Sequence, residues 1–476
     1  MTTESEAQRR VREAGGEELC ERLLHLDATR AGRTKHAPVL GPPRPDKGAT
    51  MDYDVAIAGG GLWLLLAPLL AERGLRVAVF DRARIGQAHR EWNCSAKELV
   101  PLTSSGLFTE DEVARLVVAR YDHGVCRWHG GGTYPVRNVL DHAVDAGKLL
   151  AAVRARAEAR GACLHDGEAI VAHAEGPDGV ALSTSAGETL TARIFVDARG
   201  ASSPLATADL ICPTVGGVLG GLEEGEAADQ MRPDVGEILA TTEGVEEGRQ
   251  HIWEAFPGKR GEVTVYLFYY ALEGSPGASL VSLYARFFEK MKVYKRGDFR
   301  LVRPTFGFIP GWSRLGPGPA RGRRVVLVGD AAARHSPLTF CGFGSALRSF
   351  EGVAESITRA AEDPEGKGAN GASGDAPIHK GTGALTWMMA TPPKEPARQG
   401  ELNALLDTAF STLADMGDEA YGALLRDEMS AKDFVRFLRI VAGKRPRVYR
   451  DVIGSLRLFG LGRWGFGVAR ELLRAS

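Results

Sequence analysis

DYDVAIAGGGLWLLLAPLLAERGLRVAVFD, residues 52–81, reads as strand, turn, helix and strand. DYDVAIAG is a short apolar run closed by glycine, LWLLLAPLLAERG has the length and composition of a helix, and LRVAVFD is a second apolar run ending in a carboxylate. This is the opening β-α-β unit of a nucleotide-binding sheet. Its turn calls for one glycine to bend tightly, a second to let phosphates approach the backbone, and a third to let helix pack on strand. Gly59 and Gly61 supply the first two. The third place holds Leu64, and Trp63 beside it puts a large ring on the first helical turn. Pro68 lacks the N–H that would bond the carbonyl of Leu64, which predicts a kink. Asp81, about 20 residues beyond the turn, stands where a carboxylate would bond ribose hydroxyls. Taken alone, the unit is equally an ordinary β-α-β turn with a surface aspartate.

The chain of 476 residues, 44% hydrophobic and 25% charged, is long enough for two or three domains. Its 59 Lys and Arg nearly balance 60 Asp and Glu, so overall charge argues against a nucleic-acid partner. Six cysteines form no CxxC pair and no cluster with histidine, so no metal site is expected and a reducing compartment fits. The start is polar, and no apolar stretch is long enough to span a bilayer, so the expected location is cytoplasmic, in solution or on a membrane surface. Residues 1–50 read as a polar extension and Pro/Gly linker. Residues 51–365 read as the nucleotide-binding domain, with a substrate-binding sheet inserted at roughly 205–310. A Gly-rich loop at 366–385 and a helical region at 386–476 complete the chain.

Two later segments narrow the ligand. VVLVGDAAARHSPLTFCGFGSALRS, residues 325–349, runs a buried strand into Gly329-Asp330, and a helix can start near Gly342. Such an aspartate suits a ribityl hydroxyl, and a helix N-terminus suits the pyrimidine edge of a flavin, where reduced flavin is anionic. ARIFVDARGASSP, residues 192–204, carries a DA-x-G pattern with Asp197 and Gly200. A glycine turn, a DA-x-G strand and a late GD, in this order, resemble the FAD enzymes of the hydroxylase and lycopene-cyclase superfamily. The expected fold is therefore α/β, a Rossmann-like FAD-binding domain with an inserted sheet and helical C-terminal region.

REWNCSAKEL (90–99), HIWEAFPG (251–258), GDAAARHSPLTFCGFGS (329–345), MMATPP (388–393) and LNALLDTAFSTLADMGDEAYGALLRD (402–427) resemble lycopene cyclases of the CruA/CruP type. The resemblance runs from about residue 51 to the C-terminus. It implies an acyclic carotene as substrate, cyclised ends as product, and reduced FAD that transfers no net electrons. Trp63, Leu64 and Pro68 depart from the usual FAD pattern.

Cyclising such a polyene end means protonating a terminal alkene, closing a ring onto the cation and losing a proton. A carboxyl sheltered from water stays protonated and can serve as the acid. Glu254, between Trp253 and Phe256 and ahead of Tyr266, Phe268, Tyr269 and Tyr270, is the first candidate. Glu91 is the second. Glu254 also reads as a surface residue at a strand end, Glu91 reads more readily as half of a structural pair with Trp92, and His335 is left out of the set. A flavin monooxygenase or reductase on another apolar substrate, or a non-catalytic relative, remains open. Finally, Arg436, Arg439, Lys444, Arg445, Arg447, Arg450, Arg457, Arg463, Arg470 and Arg474 face only Asp451 and Glu471. Val448, Val452, Ile453, Leu456 and Phe459 form a helical stripe, followed by Trp464 and Phe466. This basic amphipathic tail predicts peripheral membrane contact, the alternative being a helix pair packed on the protein's own core.

Overall fold

The computed structural model describes residues 4–32, 41–206, 208–259, 261–313, 322–333, 338–339, 341–363, 379–395 and 398–447, and single residues at 462, 465, 466 and 469. It has the α/β class expected, with helices following the sheets at the C-terminal end.

Five strands of the first sheet run parallel, in the order Cys163–Asp166, Val77–Asp81, Tyr53–Ala58, Thr189–Asp197 and Val325–Leu327. The first half of Thr189–Asp197 also pairs with Val180–Thr184, which continues antiparallel to Ile170–Glu175. Parallel strands are covered on both faces, hence their near-continuous apolar runs. Val55, Ile57, Val79, Ile194 and Val196 face the helices Leu66–Glu72, Ala146–Ala159 and Gly342–Glu362. Ala56, Ala78, Phe80 and Phe195 pack on the other side with Val180 and Leu182.

The helix that carries Pro68 starts later than the sequence pattern predicts. Leu62–Leu65 form a 3₁₀ turn, and the α-helix begins only at Leu66. Pro68 therefore sits in the first α-turn, where backbone N–H groups lack intrahelical partners anyway, and no ladder bond is lost. Leu64, in the place of the third glycine, is fully buried in the helix-side core.

The second sheet has eight strands: Ala271–Leu272, Leu210–Leu222, Glu262–Phe268, Ile252–Pro257, Val235–Ala240, His123–Arg127 and Thr133–Val136 in order, with Gly297–Gly311 along the other edge of Leu210–Leu222. It thus recruits two strands from well before residue 205. One face is covered by the helix Leu280–Tyr294 and by an N-terminal pair, Glu6–Gly15 and Glu17–Arg30. Ala7, Val11 and Leu23 are buried there, and the Asp27 carboxylate accepts from the backbone N–H of Leu280 at 2.7 Å. The helices Glu401–Met416, Asp418–Leu425 and Ala431–Lys444 share a core with Ile252 and Phe268 of the same sheet and with Trp128 just beyond its strand His123–Arg127. A small third sheet joins Glu91–Cys94, His142–Asp145 and Val117–Arg120.

Among the described residues no helix is long and apolar enough to cross a membrane. In Ala431–Lys444 the apolar Phe434, Phe437 and Val441 face inward, while Arg436 and Arg439 are exposed. Phe466 is 72% exposed. The rest of the basic stripe from Val448 on, including Trp464, lies outside the described residues, as do His335 and most of the Gly-rich loop.

Candidate functional site

Between the two large sheets lies a cavity of about 460 Å³. Its size falls within the range of small-molecule sites. Gly200, Gly329, Asp330, Gly342, Glu91 and Glu254, six of the residues singled out from sequence, line it together.

The second sheet forms one wall. Alternation along its strands sends Glu254 and Phe256, Tyr266 and Phe268, Cys212 and Thr214, and Thr305 and Ile309 to the cavity face. Glu254 lies directly opposite Tyr266, and Tyr266 opposite Gly216. Gly307 beside them has open space where a side chain would stand, so part of this wall is bare backbone. The same alternation corrects the expected shelter of Glu254. Trp253 points to the far face, where it stacks on Tyr294 with ring centres 4.6 Å apart, and Tyr269 packs there too. Phe256, Tyr266, Phe268 and Tyr270 are rings on its own side.

Glu254, half-buried on this wall, has no hydrogen-bond or ion-pair partner among the described residues, and its partial removal from water pushes its carboxyl up to about 8. Glu91, 5% exposed, lies on the rim formed by the third sheet, with Lys259 Nζ 4.0 Å from its carboxylate. Arg90 beside it also lines the cavity and has no carboxylate partner among the described residues. Sequence reading passed over Arg90, whose only signal was its place next to the EWN motif.

The first sheet contributes the turns at its strand ends. Gly59 has φ +116° and a side chain there would collide with the carbonyl of Ala198, so only glycine closes this turn. Asp81 fastens it: one carboxylate oxygen accepts from Gly60 N at 2.7 Å, the other from Ala83 N at 2.8 Å. Gly61 faces open space. Asp197 is fully buried, bound by Arg199 at 2.7 Å and by the Ser203 hydroxyl at 2.5 Å, which fixes the shape of the DA-x-G turn. Gly329, at φ +59°, opens a short 3₁₀ turn that carries Asp330 next to Gly200. Gly342 is the first residue of its helix and again faces open space.

Behind this wall the EWN segment is tied to that helix. Ser95 caps a short 3₁₀ turn whose Glu98, 1% exposed, accepts from Ser95 N at 2.8 Å and pairs with Arg348. Gly344 has no room for a side chain because the Glu98 carboxyl fills that space.

No known family profile matches the sequence, and no curated protein is similar to it. Solved structures are similar. A geranylgeranyl bacteriochlorophyll reductase-like protein from Thermoplasma acidophilum superposes with TM-score 0.52 at 16% identity, over 86% of this chain and 99% of its own. Halogenase PltM, in complex with phloroglucinol and FAD, gives 0.56 at 14% identity over 87% and 96%. The Diels-Alderase PyrE3 of pyrroindomycin biosynthesis gives 0.51 at 17% identity over 79% and 80%. At such identities it is the fold that is shared: a Rossmann-type parallel sheet with a second sheet and a helical C-terminal region.

Proposed function

We propose that the chain is an FAD-dependent enzyme that cyclises an acyclic carotene without net redox change. The observation that carries this reading is the Glu254 carboxyl, without a partner among the described residues, on the wall of an aromatic cavity that Gly200 and Gly329-Asp330 of the first sheet also line. The residues fit a flavin. Gly61 and Gly342 leave open cradles where backbone N–H groups can meet phosphate and the pyrimidine edge, and Asp330 stands at the strand end between them. Asp81 keeps spare lone pairs for ribose hydroxyls beyond the two N–H groups that it accepts. When bound, reduced flavin supplies negative charge near the reacting end of the substrate.

The chain's own residues carry the proton. Protonated Glu254 delivers it to the terminal alkene, and the faces of Tyr266, Phe268 and Phe256 stabilise the tertiary cation that results. A neighbouring double bond closes the ring, and loss of a ring proton to the Glu254 carboxylate restores the acid. One proton enters and one leaves, so the reaction is an isomerisation. A cavity of this volume suits one end of a long polyene at a time. The name Diels-Alderase on a protein of this fold also fits redox-neutral ring formation.

The deciding test is pigment analysis of a lycopene-accumulating host expressing the chain, with monocyclic or dicyclic carotenes as the expected products. Reductase-like and halogenase neighbours favour a second reading, an FAD-dependent oxidoreductase on another apolar substrate. It predicts unchanged lycopene and NAD(P)H consumed in proportion to product. In either case Asp330→Ala should release flavin from a folded protein, measured as the flavin-to-protein absorbance ratio after gel filtration. A ratio equal to the wild type's would remove Asp330 from the flavin site.

A carotene must be drawn from a bilayer, and the exposed Arg436 and Arg439 continue into the basic tail. The expected result is salt-sensitive co-sedimentation with anionic liposomes, lost in a form ending near residue 432, since each cation near an anionic leaflet adds about 1 kcal/mol. Equal binding by both forms would exclude the tail.

A further inference from the structure

A flavin held at both glycine turns has to cross the sheet's carboxyl edge. Gly61 lies at the end of Tyr53–Ala58 and Asp330 at the end of Val325–Leu327, with Thr189–Asp197 between them. Two strand spacings come to roughly 10 Å, and the edge in between is formed by Ala198 and Gly200, both on the cavity wall. That stretch is already crossed by a side chain. Trp63 leaves the glycine turn, lines the cavity, and lays the Nε1 edge of its indole against Gly329, where any side chain would collide with it. The ring is only half-buried, and its Nε1 has no hydrogen-bond partner among the described residues, so little besides packing fixes it there.

We propose that Trp63 is a plug in the flavin site: its indole occupies the path between the Gly59–Gly61 turn and Gly329-Asp330, and FAD binds only in molecules whose indole has swung aside. The proposal rests on the FAD reading above. Its consequence is a dissociable flavin, because affinity is divided by the population of the open state. If the open rotamer is populated about one part in ten, apparent affinity is about tenfold weaker than the site could give. Trp63 would thus set how tightly the cofactor is held, without touching the reacting atoms.

The test is a titration of the full-length, flavin-free protein with FAD, read by quenching of flavin fluorescence, for wild type, Trp63→Ser and Trp63→Phe. Trp63→Ser should bind FAD about tenfold or more tightly than wild type and retain more flavin on purification, with Trp63→Phe intermediate. Phe keeps a ring but removes the indole edge that meets Gly329, and it carries the comparison if the Ser variant does not fold. Equal or weaker FAD binding by a folded variant overturns the plug and leaves the FAD reading standing. No FAD binding by wild type or by either variant overturns both.

Discussion

Glu254→Gln should leave flavin bound and lower the cyclisation rate by about a hundred- to ten-thousand-fold, the usual loss when a positioned acid is removed. Gln keeps the shape of the side chain but has no proton to give. Full activity in this variant would clear Glu254 and move suspicion to Glu91. The same carboxyl sets a pH signature. Burial raises it from its ordinary 4.5 to about 8, so the acid is present below about pH 8 and activity should fall above it. Stability follows with a definite sign. Between those two values the folded protein keeps a proton that the unfolded chain has released, so the fold loses stability as pH rises from about 4.5 to about 8. Thermal melting of wild type and Glu254→Gln should coincide near about pH 4, and the Gln variant should melt higher at about pH 9. Parallel melting at both would show that the carboxyl is not held in a dry site.

Arg348→Met should be strongly destabilising although it lies away from the cavity. It leaves Glu98 buried at 1% exposure with a backbone N–H from Ser95 but without its guanidinium. It also removes the bond that Arg348 gives the carbonyl of Arg426 at 2.7 Å, which ties the helix to the C-terminal region. Uncovering a buried charge in this way typically costs about 3 kcal/mol or more. The first thermal transition should drop by several degrees, and Glu98→Gln in the same chain should recover most of the loss, because no charge then remains to be buried. An unchanged transition in the single variant would show that the pair contributes nothing to the fold.

What could be read in advance followed from local pattern. The β-α-β unit, the DA-x-G strand and the GD turn announce themselves because glycine, a terminal carboxylate and a short apolar run must lie close together in sequence to build one strand end. The outward face of Glu254 was not legible, since alternation tells which neighbours share its side but not which side meets the cavity; hence Trp253 was placed with it and belongs to the opposite core. The setting of Pro68 was not legible either, because the helix start, four residues later than the glycine turn suggests, decides whether its missing N–H matters. The Glu98–Arg348 pair, 250 residues apart, leaves no local trace, and neither does the pairing of His123–Arg127 with Val235–Ala240. The asymmetry is physical: turns are encoded by the residues that make them, whereas a buried partner is encoded only by the completed core.

The N-terminal helix pair has a consequence for how the chain is made. It leaves the ribosome well before its partners: Asp27 meets the start of its partner helix 253 residues later, and the strand Gly297–Gly311 that it also covers follows that. At about 5–20 residues per second, the segment waits roughly 13–50 s with Val11 and Leu23 unburied. Its many Arg and Glu side chains, among them those of the Arg9–Glu13 and Arg10–Glu6 pairs, leave most of its surface polar in that interval. Residues synthesised ahead of both sheets are therefore among the last to dock, and they close one face of the second sheet only after the cavity wall on its other face has been laid down.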